Sequence, residues 1–201
     1  MEFKKSWNQF WHFIWEEDTP ASWIANIILA FVLIKFIVYP GLGFLLGTTH
    51  PVVAVVSGSM EHDGSFATWW TSGCSQGTQE DLYRPYSITA DQFQTYSFRN
   101  GFNKGDIMVL SGHGMIQQGD VIVFSIPNRS DPIIHRVIGV TRSDEQQLYK
   151  TKGDHNCGSA PFEDNIGQPQ IIGKAVLRIP YLGWVKLVFS DLLQYIGVKP
   201  W

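Results

Sequence analysis

Gly119-Asp120-Val121-Ile122-Val123-Phe124, then Pro132-Ile133-Ile134-His135-Arg136-Val137-Ile138-Gly139-Val140, reads as two β-strands in close succession. Each is a β-branched run introduced by a turn residue, and neither shows the 3–4 spacing of a helix. Asp106 to Leu110 repeats the pattern after Gly105. Gln147 to Lys152 and Gly173 to Ile179 extend it toward the C-terminus, and Pro51 to Val56 extends it toward the N-terminus. Many short strands with glycine turns and little helix predict a mainly β domain, built from packed sheets or a partly open barrel.

Upstream the character changes. Residues 23–46 are almost continuously apolar, long enough for a bilayer-spanning helix, which needs roughly 20 residues. Trp23 and Tyr39 are placed as interfacial aromatics. About twenty residues precede the span, so it reads as an uncleaved anchor, not a removable leader. Lys35 interrupts the span and is expected to snorkel toward an interface. Residues 1–22 carry Trp7, Phe10, Trp11, Ile14 and Trp15 at helical spacing, as an interfacial helix does. Lys4 and Lys5 precede the anchor, which favours a single-pass protein of the cell membrane, with a cytoplasmic N-terminus and an extracytoplasmic domain. The net charge of -3 and the lack of any basic run beyond a pair argue against a nucleic-acid partner.

The predicted domain occupies residues 47–184, with an insertion over 62–100 and a C-terminal helix over 185–201 that packs on the domain or rests on a membrane. Trp69, Trp70, Tyr83, Tyr86, Phe93 and Phe98 give the insertion enough aromatic mass to be ordered. Thr89-Ala90-Asp91-Gln92 is a capping-box pattern flanked by Ile88 and Phe93, and predicts a short helix there. Trp69 and Trp70 fit the insertion's own core better than an outer leaflet.

Ser59, in Ser57-Gly58-Ser59-Met60, follows an apolar strand shortly after the anchor. A serine hydroxyl needs a neighbouring base to become a nucleophile. His135 and Asp154 supply a candidate base and a candidate acid. Taken alone, each is an ordinary surface or strand residue.

The order of motifs changes that. Ser57-Gly58-Ser59-Met60-Glu61, Gly119-Asp120-Val121-Ile122-Val123-Phe124, His135-Arg136-Val137-Ile138, Thr151-Lys152-Gly153-Asp154 and Arg178-Ile179-Pro180-Tyr181-Leu182-Gly183 together resemble the type I signal peptidases over residues 23–184. A histidine stands where most bacterial members have lysine. That resembles the archaeal and endoplasmic-reticulum type, with the archaeal side preferred.

The resemblance implies a serine endopeptidase that removes N-terminal signal peptides from exported preproteins at the outer membrane surface. Ser59 would be the nucleophile and His135 the base. The Ser59 N–H and the Ser57 hydroxyl would hold the oxyanion. Asp154 is the preferred partner of His135. Asp164 is chosen as the family's second acid, with Glu163 as its alternative across a lengthened loop. His62 stands where the family usually has a proline and competes weakly as base. Lys152 is read as structural.

No cofactor and no metal are expected. His62, Cys74, His155 and Cys157 match no compact ligand spacing. Cys74 and Cys157 either pair or remain free thiols. The expected partners are secretory preproteins and the lipid membrane, with accessory subunits left unspecified. Two competing readings are a related membrane-bound processing protease and a catalytically silent peptide-binding membrane protein.

Overall fold

A computed structural model describes residues 2–75, 77–127, 129, 131–143 and 146–195. It divides into two compact units, Met1–Leu45 and Leu46–Trp201.

The first unit is helical. α1 (Glu2–Trp15) displays Trp7, Trp11 and Trp15 along one exposed side, with successive ring centroids 6.0 and 5.8 Å apart. Next, α2 (Pro20–Leu33), a π-helical stretch (Ile34–Val38) and α3 (Tyr39–Leu46) run on as one helix, Pro20–Leu46. It starts three residues before the expected Trp23, because Thr19 and Ser22 cap it reciprocally and Pro20 takes a first-turn position where no N–H is missed. By length and composition this helix is able to cross a membrane. Lys35 stands in the π-helical stretch, its ammonium 5.6 Å from the rings of both Phe31 and Phe36.

The second unit is mainly β. Its elements are β1 (Val52–Ala54), α4 (Phe66–Trp70), β2 (Gly73–Cys74), β3 (Gly77–Thr78), α5 (Gln79–Tyr83), α6 (Ala90–Gln94), β4 (Ile107–Ser111), β5 (Val121–Phe124), β6 (Ile133–Ser143), β7 (Gln146–Lys152), β8 (Ile166–Gly167), β9 (Ile171–Ile179) and α7 (Trp184–Tyr195). Seven strands form one curled antiparallel sheet in the order β1-β4-β9-β5-β6-β7-β8, and β2 and β3 make a separate hairpin. Every residue of β5 is buried: Val121 and Val123 face a cluster with Met60, Met108 and Leu110, while Ile122 and Phe124 face one with Val137, Tyr149 and Ile166. A strand covered on both sides needs an uninterrupted apolar run, which is what its sequence offers. Of the C-terminal helix expected over 185–201, residues 196–201 lie outside the described residues.

The insertion has a core of its own. Trp69, Trp70, Tyr83, Ile88 and Phe93 pack together with Ile138 of β6. Thr89 accepts the Gln92 N–H and starts α6, and Ile88 and Phe93 flank that cap in the same cluster. The two further helices, α4 and α5, begin at caps given by Ser65 and Thr78. Cys74 and Cys157 form a disulfide, which ties this insertion to the loop after β7.

Candidate active site

The nucleophile candidate is placed by the curl of the sheet. β1 and β6 are separated by β4, β9 and β5, yet Ser59, just beyond β1, has its Oγ 3.0 Å from His135 Nε2 on β6. Pairing across the sheet sets the rest: Ile122 faces His135, and Arg136 faces Lys152, so the His-Arg pair lies beside the Lys-Gly-Asp segment. The turn that carries Ser59 is held by its own backbone. Glu61 N–H donates to Gly58 O at 3.0 Å, His155 N–H to Ser59 O at 2.9 Å, and Phe102 N–H to Met60 O at 3.0 Å.

Gly153 explains the middle residue of Lys-Gly-Asp. A Cβ there would lie 2.7 Å from Ser59 O and 2.8 Å from His135 Nε2, so any side chain would push His135 and Ser59 apart. Gly101 is a second obligate glycine: its φ is +66°, and a Cβ would come within 2.3 Å of Met60 O.

His135 is nearly buried, and its Nδ1 lies 2.5 Å from Glu163 Oε1. A carboxylate only accepts, so Nδ1 carries the proton and the Nε2 lone pair faces the Ser59 hydroxyl, as a base requires. Glu163 is itself fixed by the Thr151 hydroxyl at 3.1 Å and the Ala160 N–H at 2.7 Å. Pro161-Phe162-Glu163 forms a single 3-10 turn that points this carboxylate inward.

The expected acid is elsewhere. Asp154 does not touch His135: its carboxylate accepts from Arg136 Nε at 2.9 Å and Nη2 at 2.7 Å, from Tyr83 OH at 2.9 Å and from His62 Nε2 at 3.0 Å. All four groups are buried, and burial alone would raise the Asp154 pKa. The Arg136 charge and the His62 bond outweigh that and hold the carboxyl well below the ordinary range. Asp164 is also away from the base. It forms a half-exposed ion pair with Lys150 at 2.7 Å.

The physical reason lies in the lengthened loop. Residues 155–160 carry the chain outward through Cys157, and the 3-10 turn brings Glu163 back while Asp164 points away. The preference for Asp154 as the partner of His135 is therefore corrected: the carboxylate at His135 is Glu163, which the sequence offered as the alternative to Asp164 for the second acid.

Ser57 lies beside the candidate nucleophile, its Oγ 3.3 Å from Ser59 Oγ. His62 is bonded to Asp154, not to Ser59. Lys152 Nζ donates to Gln79 Oε1 at 2.8 Å and Gly153 O at 3.0 Å, and packs 4.6 Å from the Tyr83 ring. Burial pushes its pKa down to about 8, against the charges of Asp154 and Glu163.

A cavity of about 280 Å3 opens at Ser59 and His135. It is lined by Val53, Ala54 and Val56, by Ile133 and Ile134, by Asn156 and Phe162, and by the charged Arg129 and Asp131. Asn156 and Phe162 went unnoticed in the sequence as wall residues. Only their closeness to Gly153 and Glu163 hinted at it.

No family model matches the chain. A protein named signal peptidase complex catalytic subunit SEC11 from Colletotrichum graminicola is 26% identical over 178 residues, covering 83% of this chain and 81% of the relative. The like-named protein of Pyricularia oryzae is 24% identical over the same shares. That of Candida albicans is 31% identical over 106 residues, 49% of this chain and 64% of the relative. All three are fungal, so the archaeal side of the expectation draws no support from them.

Proposed function

We propose that this chain, a homologue of the endoplasmic-reticulum type of type I signal peptidase, is a serine endopeptidase that cleaves signal peptides from preproteins. The observation that carries the reading is the Ser59–His135–Glu163 hydrogen-bonded line, with Ser59 and His135 opening onto a largely apolar cleft. Ser59 Oγ attacks the scissile carbonyl while His135 Nε2 takes its proton. Glu163 keeps the imidazole in the Nδ1–H tautomer and stabilises the imidazolium that forms. The proton then passes from His135 to the leaving amine, and a water attacks the acyl-enzyme by the same route in reverse. The Ser59 N–H and the Ser57 hydroxyl receive the oxyanion.

Substrate geometry follows from the sheet. β1 is an edge strand, so its free side is able to pair with an extended peptide, whose side chains alternate into the cleft. Val53, Ala54 and Ile134 line that cleft closely, which suits small apolar residues next to the cleaved bond. The helix Pro20–Leu46 anchors the protease in a membrane, where its substrates are tethered too. The Cys74–Cys157 disulfide favours a catalytic domain on the oxidising side, with the N-terminus and Lys4 and Lys5 on the other. Accessory subunits are part of the reading, because the relatives are named as subunits of a complex.

The test is to incubate the detergent-solubilised full chain with a preprotein whose signal segment ends in small residues, and to read the product by mass. A single cut after a small residue, insensitive to chelators, is expected. Cleavage scattered along the chain, or abolished by a chelator, would contradict the reading.

A further inference from the structure

Three of the segments that meet at the candidate catalytic site each also give one side chain to a second, sealed cluster. His62 lies three residues after Ser59, Arg136 directly follows His135, and Asp154 follows Gly153. Their side chains are 0–1% exposed and meet at the Asp154 carboxylate. Arg136 also donates to the backbone oxygens of Ser97, Phe98 and Gly119, which fixes it within the domain. Trp69 Nε1 donates to Asp154 O at 3.2 Å, and the amide of Asp154 meets Met60 Sδ at 3.4 Å.

His62 is the member that touches the nucleophile's own turn. Its ring lies flat against Trp69, with centroids 3.6 Å apart and planes within 6°. Gly101 lets the ring approach: a Cβ there would fall 2.7 Å from His62 Cδ2. Among the described residues its Nδ1 has no hydrogen-bond partner, so the bond to Asp154 is the ring's single polar contact. A buried nitrogen left unsatisfied costs stability, and a phenylalanine would fill the same stacked slot without that cost. The retained imidazole therefore points to the Nε2–H···Asp154 bond as its use.

We propose that His62 is a positioning residue for Ser59. Through Asp154 and Arg136 it locks the turn carrying the nucleophile to the strand carrying the base. This rests on the protease reading above. The lock acts at a distance where small errors matter, since a displacement of about 1 Å between reacting groups can cost ~100-fold in rate.

Two variants of the full-length chain separate positioning from packing. His62→Phe keeps the stack on Trp69 and loses the donor; His62→Gln loses the stack and keeps an amide donor at the matching position. With the preprotein as substrate, His62→Phe should lower kcat about 10- to 100-fold at unchanged KM, with a thermal midpoint close to wild type. His62→Gln should recover most of kcat even if its thermal midpoint falls. The proposal is overturned if His62→Phe retains wild-type kcat, or if His62→Gln loses as much as His62→Phe. It is also overturned if the loss tracks thermal stability across the pair. A wild-type chain that leaves the preprotein intact overturns the protease reading and removes this one with it. A wild-type chain that cleaves beside an active His62→Phe overturns this one alone.

Discussion

Two histidines in this chain each meet a buried carboxylate, and only one of the pairs faces the cleft. His135, backed by the buried Glu163, opens onto the cavity and Ser59, whereas His62 and Asp154 are sealed beneath Trp69, Tyr83 and Phe93. The difference lies in what each acid already holds. Asp154 is neutralised by a two-point bond from Arg136 and receives Tyr83 and His62 as well, so it has little left with which to stabilise a new positive charge. Besides His135, among the described residues Glu163 accepts hydrogen bonds from neutral donors, Thr151 and the Ala160 amide. A carboxylate with no cation hydrogen-bonded to it is the one suited to an imidazolium that appears and vanishes each cycle. In the proposed mechanism the sealed pair frames the site, and the pair behind Ser59 moves the proton.

Substitutions at the two acids should separate these uses. Glu163→Gln keeps size and loses charge and the tautomer control. It should lower kcat by roughly 10²- to 10⁴-fold with little change in thermal midpoint, read from initial rates and a melting curve. Equal kinetics with wild type would return the role to another acid.

Asp154→Asn should act first on stability, costing about 3 kcal/mol or more in denaturant titrations, since Arg136 is left buried without its counter-charge. The sign with pH is definite. The folded carboxyl is held well below its value in the unfolded chain, ~3.9. Its stabilisation is therefore complete above about pH 5 and is lost progressively as pH falls below ~4 toward the lowered folded value. Asp154→Asn should flatten that acid limb; an unchanged limb would mean that the carboxylate is not held as described.

Reducing Cys74–Cys157 should cost about 2–4 kcal/mol, the usual range for a bridge closing a long loop, and should slow cleavage through the loop that carries Glu163. Full activity and stability after reduction would uncouple the insertion from the site. Asp164→Asn should move activity by less than about twofold, because its partner Lys150 is partly exposed and such pairs contribute ~0–1 kcal/mol.

Much of this arrangement was legible in the sequence. The strand order along the chain, the apolar helix before the domain, the Thr89 cap and the buried tryptophans all follow from local pattern, because burial and capping act over a few residues. The meeting of Ser59 with His135 was readable from motif order. The acid was not, since which carboxylate reaches His135 depends on the path of residues 155–163, and that path is set by the disulfide and a proline-started turn. Residues 62–100 read as ordered, yet nothing local announced that His62, Trp69 and Tyr83 would close over Asp154. Contacts of that separation depend on the whole fold, and the same holds for Asn156 and Phe162 at the cleft.

The most direct test of the account is the initial rate of preprotein cleavage by Ser59→Ala beside the wild-type chain, at equal concentration and with folding verified by melting curve. The account predicts a loss of about 10⁴-fold or more, since the substitution removes the hydroxyl that His135 Nε2 meets at 3.0 Å in the cleft. A Ser59→Ala chain that cuts the same bond at a rate near wild type would contradict it.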